Sequence, residues 1–124
     1  MAEGKQLSVC SGGHTPHCAA SGVAMLDLRP MCRVAAEVGS AGTTVVAQGG
    51  ASLRALAAAA SGAGCVLPLG TCGTVGIGSV LLGGVGHLTR LLGLSVDAVV
   101  ALRVATPSAP GASPSAHEWP HPAN

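Results

Sequence analysis

With 124 residues and a formal charge of +1, the chain has room for one small domain, and it carries no electrostatic footprint for nucleic acid. Its apolar residues make up 48% of the total but are mostly Ala, Val and Leu, with no Phe, no Tyr and a single Trp at position 119. Such a core is thin, and 19 Gly residues raise the entropy cost of folding, so the chain reads as marginally stable without a cofactor, a partner or further sequence.

Cysteines stand at positions 10, 18, 32, 65 and 72. Their odd number and the lack of a CxxC pair argue against a disulfide framework and against an ordinary zinc site. No basic-flanked apolar run opens the sequence, so no secretory signal peptide is expected, and the compartment stays open. Ala55 to Gly86 carries only neutral residues, but Pro68, Gly70, Gly73, Gly76 and Gly78 cut it too often for a lipid-spanning helix.

In chain order, Leu7–Cys10 predicts a short strand ending at Ser11-Gly12-Gly13. Val23–Leu28 predicts a second strand, broken by Pro30. Cys32–Val38 and Thr43–Gln48, joined across Gly39–Gly42, predict an antiparallel hairpin rich in β-branched residues. Ser52 predicts an N-cap for a helix through Leu53–Ala60, with a left-handed stop at Gly62. Cys65–Leu69 is an extended return. Val75–Gly84 is small and apolar enough for a buried helix, and His87–Leu92 predicts a helical turn closed by Gly93. Asp97–Thr106 predicts a last strand. From Pro107 the composition turns to Ser, Pro, Ala, Gly and His, which predicts a disordered tail over 107–124 and a domain edge near Thr106. The order indicates an α+β fold.

Three constellations could carry chemistry. Ser11-Gly12-Gly13-His14-Thr15 follows a strand, and its successive N–H groups could form a nest for a phosphate or pyrophosphate. Taken alone it also reads as a plain turn, and His14 as a structural hydrogen-bonder. In Gly70–Ser79, the glycines allow close backbone approach to a ligand, Thr74 adds a hydroxyl, and the amides opening the following helix could face an anion. It matches neither the dinucleotide fingerprint nor a Walker loop, and tight packing through small residues explains it equally well. In Gly83–Arg90, glycines would clear space for a flat ligand, or a helix simply breaks beside a solvated Arg. His117, Glu118 and His121 in the tail are a weak metal candidate beside the simpler reading of a solvated tail.

In order, these pieces resemble the FAD-linked oxidases, the family of berberine bridge enzyme and the carbohydrate oxidases, whose PCMH-type flavin domain is shared with vanillyl-alcohol oxidase. Ser8–His17 is similar to that family's Arg-Ser-Gly-Gly-His-Ser loop, and Val23–Val34 to its hydrophobic-Asp-Leu hairpin. Leu69–Gly78 is similar to its Gly-x-Cys-x-Thr-Val-Gly-x-Gly segment, and Leu82–Arg90 with Gly93, Leu94 and Asp97 to the stretch after it. The match runs from about Leu7 to Thr106.

The resemblance implies a partial FAD-binding domain over residues 1–106. It implies FAD as cofactor, bonded covalently through His14 and Cys72. Ser11, Gly12, Gly13 and Thr15 would surround the pyrophosphate, and Thr74, Gly76 and Gly78 would form the second cofactor loop. The implied activity is oxidation of an alcohol or amine carbon of a small-molecule substrate, with electrons passed to oxygen. The alternative is a non-catalytic fragment or interaction module that has lost flavin turnover. The chain departs from the pattern at Cys10, where the family has Arg, and at Gly73 and Ser79. The family's flavin domain begins upstream of Leu7 and continues past Thr106, with the substrate domain and catalytic base beyond, so a truncated piece is expected.

Overall fold

The computed structural model describes residues 6–106 and 115–120. Strand β1 (Leu7–Cys10) pairs in parallel with β2 (Ala24–Asp27), in a register that sets Cys10 opposite Asp27. The connection between them carries a 3-10 turn at Pro16–Ala19. β3 (Val34–Gly39) and β4 (Gly42–Ala47) form the expected antiparallel hairpin, with Gly39 opposite Gly42. Helix α1 (Leu53–Gly62) packs on that hairpin. A 3-10 helix (Ile77–Leu82), the short α2 (Thr89–Leu92) and a 3-10 turn (Ser95–Ala98) follow, then β5 (Ala101–Thr106) and β6 (Ser115–Pro120). The described strands form three two-stranded sheets.

Alternation builds the layer under α1. Val34, Ala36, Thr43, Val45 and Ala47 are half-buried while their neighbours along each strand face water, the period-two pattern of a sheet covered on one face. On the helix, Leu53, Leu56 and Ala60 fall on one side and are buried. Their spacing is that of a helical stripe, and each buried Leu contributes about 1.5–3 kcal/mol of transfer free energy. Cys10, Ala51 and Val80 complete the buried apolar set. The described core is therefore as thin as the composition predicts.

Ser52 caps α1 as expected, its hydroxyl accepting from the Ala55 N–H at 3.3 Å. The helix runs through Gly62, and the left-handed residue is Gly64 (φ +71°). The stop falls there because the Ala63, Gly64 and Cys65 N–H groups turn back onto the carbonyls of Ala59, Ala60 and Ser61.

Three more expectations change. The segment Val75–Gly84 is not a buried α-helix. Ile77–Leu82 winds as a 3-10 helix with only Val80 buried and Leu82 90% exposed. Gly83 at φ +114° then ends it. The strand expected from Asp97 begins at Ala101, because the Asp97 carboxylate accepts from the Leu94 N–H at 2.8 Å and holds Ser95–Ala98 as a turn. Within the stretch expected as a tail, Ser115–Pro120 pairs with β5, placing Trp119 opposite Leu102. Ladder bonds come from the main chain, which composition does not encode. The side chains of His117 and Glu118, and all of His121, lie outside the described residues.

No helix among the described residues is long and apolar enough to cross a membrane. Beside β2, Arg29 grips the Asp27 carboxylate at 2.7 Å. That bond holds the Asp27 carboxyl down at about 2. Both groups are solvent-accessible, so the pair adds little stability.

Candidate functional site

The site is built where two loops distant in sequence meet. One leaves β1 as Ser11–Thr15, and the other runs from Gly70 to Gly78. They touch main chain to main chain at Gly12 and Gly76. A Cβ at Gly12 would lie 2.6 Å from the Gly76 Cα and closer still to its nitrogen. A Cβ at Gly76 would lie 2.7 Å from the Gly12 Cα and 2.7 Å from the Ser11 hydroxyl. These glycines exist to bring the loops together, a role that needs the missing side chain and not a positive φ.

Ser11 fastens this junction. Its hydroxyl donates to the Gly49 carbonyl at 2.6 Å and accepts from the Gly78 N–H at 3.3 Å. One side chain thus ties the β1 exit, the turn after β4 and the start of the 3-10 helix. The second loop is also laced to the start of α1. The N–H groups of Leu53 and Arg54 donate to the carbonyls of Val75 (2.9 Å) and Gly73 (2.8 Å), and Ile77 donates back to Ala51 (2.8 Å). The opening amides of a helix normally lack partners; here the Gly70–Gly78 loop satisfies two of them. The expectation that amides after Gly76 face an anion is corrected on the same ground. Those of Ile77, Gly78 and Ser79 are spent on Ala51, Ser11 and Gly76. Among the described residues no acceptor meets the N–H groups of Gly12, Gly13 and His14, and Gly13 is left-handed at φ +72°. The first loop therefore keeps the nest-like donors.

The junction sets the chemistry above it. His14 Nε2 lies 2.8 Å from the Thr74 Oγ1, and the Cys72 Sγ lies 3.3 Å from the same oxygen. All three side chains are solvent-exposed. The Thr74 hydroxyl, its N–H and the Val75 N–H turn toward the Cys72 sulfur, and together with the charge of Arg54 they lower the thiol pKa. A lowered pKa raises the thiolate fraction, the nucleophilic form. When Thr74 donates to sulfur, its lone pairs are free to accept from the Nε2–H tautomer of His14, which would leave the imidazole lone pair on Nδ1. The arrangement presents two nucleophiles on one exposed face. Replacing Thr74 with Val is expected to make Cys72 several-fold slower toward iodoacetamide at neutral pH, because the raised pKa shrinks the thiolate pool. Alkylation followed by peptide mass analysis checks this.

Of the residues singled out in the sequence, Ser11, Gly12, His14, Cys72, Thr74, Gly76 and Gly78 come together. Gly13 provides the turn between them. Thr15 stands apart: it precedes the Pro16–Ala19 turn, and its carbonyl takes the Cys18 thiol at 3.1 Å. Arg54 is the residue the sequence reading missed. Its side chain lies over Gly73, where a Cβ would sit 3.2 Å from the Arg54 Cβ and 3.4 Å from its Nε. Its place just after the Ser52 cap was the available signal. In the Gly83–Arg90 stretch the glycines serve packing: Gly84 abuts Ser95 and Gly86 abuts the Leu69 carbonyl. The buried Ser95 hydroxyl donates to the Pro68 carbonyl and lies 3.0 Å from that of Gly84.

A family model described as FAD binding domain matches residues 1–109. The chain is 41% identical over 81 residues, 64% of its length, to FAD-linked oxidoreductase hasG of Aspergillus fumigatus. It is 39% identical over 101 residues, 79% of its length, to FAD-linked oxidoreductase pgmH of Aspergillus terreus. These stretches are 17% and 20% of those proteins, so the chain spans about a fifth of the length of these curated relatives. The crystal structure of 6-hydroxy-D-nicotine oxidase from Arthrobacter nicotinovorans superposes with a TM-score of 0.72 at 33% identity, covering 81% of this chain and 22% of that one. The α+β arrangement is thus part of a PCMH-type flavoprotein fold, and the chain belongs to the FAD binding domain family.

Proposed function

We propose that this chain holds the FAD of an FAD-dependent oxidoreductase through the two loops joined at Gly12 and Gly76, with His14 and Cys72 as its covalent anchors. The observation that carries this reading is the convergence of His14 and Cys72 on the Thr74 hydroxyl. Both groups suit a link to electron-poor ring carbons: an imidazole whose Nε2–H tautomer would present its lone pair on Nδ1, and a thiol whose pKa its neighbours lower. Ser11, Gly12 and Gly13 would lie along the pyrophosphate, on the segment that keeps unspent N–H donors, with Thr15 outside that set at the start of the next turn. Thr74, Gly76 and Gly78 would form the opposite wall, with Gly76 and Gly78 supporting it from behind.

When bound, FAD supplies the acceptor for a hydride from an alcohol or amine carbon and the route of electrons to oxygen. The chain's own residues position it. Thr74 orients both nucleophiles, and Ser11 fixes the distance between the loops. Arg54 provides positive charge beside Cys72. The family pattern's cation at position 10 is replaced by a thiol, and Arg54 brings its charge to the second loop, over Gly73 and beside Cys72.

Equilibrium dialysis with FAD and, separately, with riboflavin tests the reading. The chain is expected to retain FAD and to release riboflavin, which lacks the pyrophosphate for the first loop. Equal retention of the two would count against a pyrophosphate role for Ser11–Gly13, and retention of neither would refute FAD binding by this chain.

A further inference from the structure

We propose that Cys10 and Cys18 form a redox-active pair, closing into a disulfide when the chain meets a low-molecular-weight disulfide and making residues 11–17 a covalent ring. The placement of the two thiols carries this. On β1 the side chains alternate, so Ser8 and Cys10 share the inner face while Leu7 and Val9 face outward. The Ser8 hydroxyl donates to the Cys18 carbonyl at 2.8 Å, which clamps the Pro16–Ala19 turn over that face. The Cys10 sulfur points beneath the loop, 3.6 Å from where a Gly13 Cβ would stand. The Cys18 thiol reaches back to the Thr15 carbonyl at 3.1 Å. Both cysteines are unpaired. They flank the segment that bends from β1 over to the second loop, and neither has a role in the site.

Their environments set an order of reaction. Cys10 is 2% exposed and Cys18 is partly exposed. Burial, and the Cys18 thiol beside it, push the Cys10 pKa up, so Cys10 reacts slowly with reagents in solution. Cys18 loses its proton and attacks the small disulfide. One small thiol leaves, and a mixed disulfide remains on Cys18. Cys10 then gives up its proton and attacks the Cys18 sulfur, and the second small thiol leaves. Two protein thiols are oxidised and one small disulfide is reduced to two thiols, with no other reactant. On the reading above, the ring would enclose Ser11–His14 and fix the loop that carries the flavin anchor. Closure of the ring itself does not depend on that reading.

The full chain is incubated with oxidised glutathione, alkylated in denaturant, and cleaved after Lys5 and before Asp27. The peptide spanning 6–26 contains Cys10 and Cys18 and no other cysteine. When exposed Cys32 has become fully glutathionylated, this peptide is expected to be lighter by two hydrogen atoms and to carry neither glutathione nor alkyl group. Cys10→Ser is expected to trap glutathione on Cys18. Cys18→Ser is expected to leave Cys10 unmodified until denaturant is added. Two alkyl groups or two glutathiones on the wild-type peptide would overturn the pair. So would a Cys10 in Cys18→Ser that reacts as fast as Cys32.

Discussion

Gly76→Ala is expected to destabilise the chain by about 2–3 kcal/mol, a drop of roughly 1 M or more in the urea midpoint. The added methyl meets main chain at Gly12 on one side and, on another, the Ser11 hydroxyl that is tied to the Gly49 carbonyl. Relief requires the loops to part, which breaks the Ser11 bond to Gly78 and pulls His14 away from Thr74. Gly12→Ala meets the same wall from the other side and is expected to cost a similar amount. Two controls separate this from a general penalty on glycine replacement. A methyl at Gly78 meets Ser11 at 3.4 Å, an ordinary contact, and is expected to cost less than about 1 kcal/mol. At Gly62, the last residue of α1, a methyl meets open space and is expected to stabilise by up to about 1 kcal/mol. Urea unfolding of the four variants checks the order. A core this thin leaves little reserve against the first two losses.

The second large effect concerns the anchors. His14→Ala and Cys72→Ala are each expected to leave flavin attached through the remaining residue, and the double variant to release all of it in denaturant. Retention of the Ser11, Gly12 and Gly76 framework makes loss of the covalent link without loss of fold the expected pattern in the double variant. Denaturing gel fluorescence measures the attached fraction. Full attachment in the double variant would place the link elsewhere.

The parts of this fold that were legible in the sequence are those written in local chemistry. β-Branched residues about Gly39–Gly42 specified the β3–β4 hairpin, and Ser52 before an Ala-rich run specified the start of α1. The left-handed stop after α1 moved from Gly62 to Gly64 because the last turn tightens onto several carbonyls before the chain turns left-handed. Val75–Gly84 misled because its apolar composition resembles a core helix. Gly76 and Gly78 were committed instead to touching the first loop, and Leu81 and Leu82 were left facing out. β6 was invisible because Ser115–Pro120 lacks the β-branched residues that mark β3 and β4.

The site divides the same way. Ser11-Gly12-Gly13-His14 and Cys72-Gly73-Thr74 each read as an ordinary turn in isolation, and their order along the chain made them a pattern. The meeting of His14 and Cys72 at one hydroxyl could not be read from spacing. It depends on a backbone contact between Gly12 and Gly76 that neither motif announces. Arg54 escaped notice because its role comes from α1 packing beside Gly73, a tertiary relation without a local signature.

Intact mass of the purified chain after incubation with FAD, taken in denaturant together with its visible spectrum, tests the covalent anchoring most directly. The account predicts a mass increase equal to FAD and a flavin spectrum that persists after unfolding. A colourless polypeptide at its bare mass would contradict it, and would leave the meeting of His14, Thr74 and Cys72 as a structural contact between two loops.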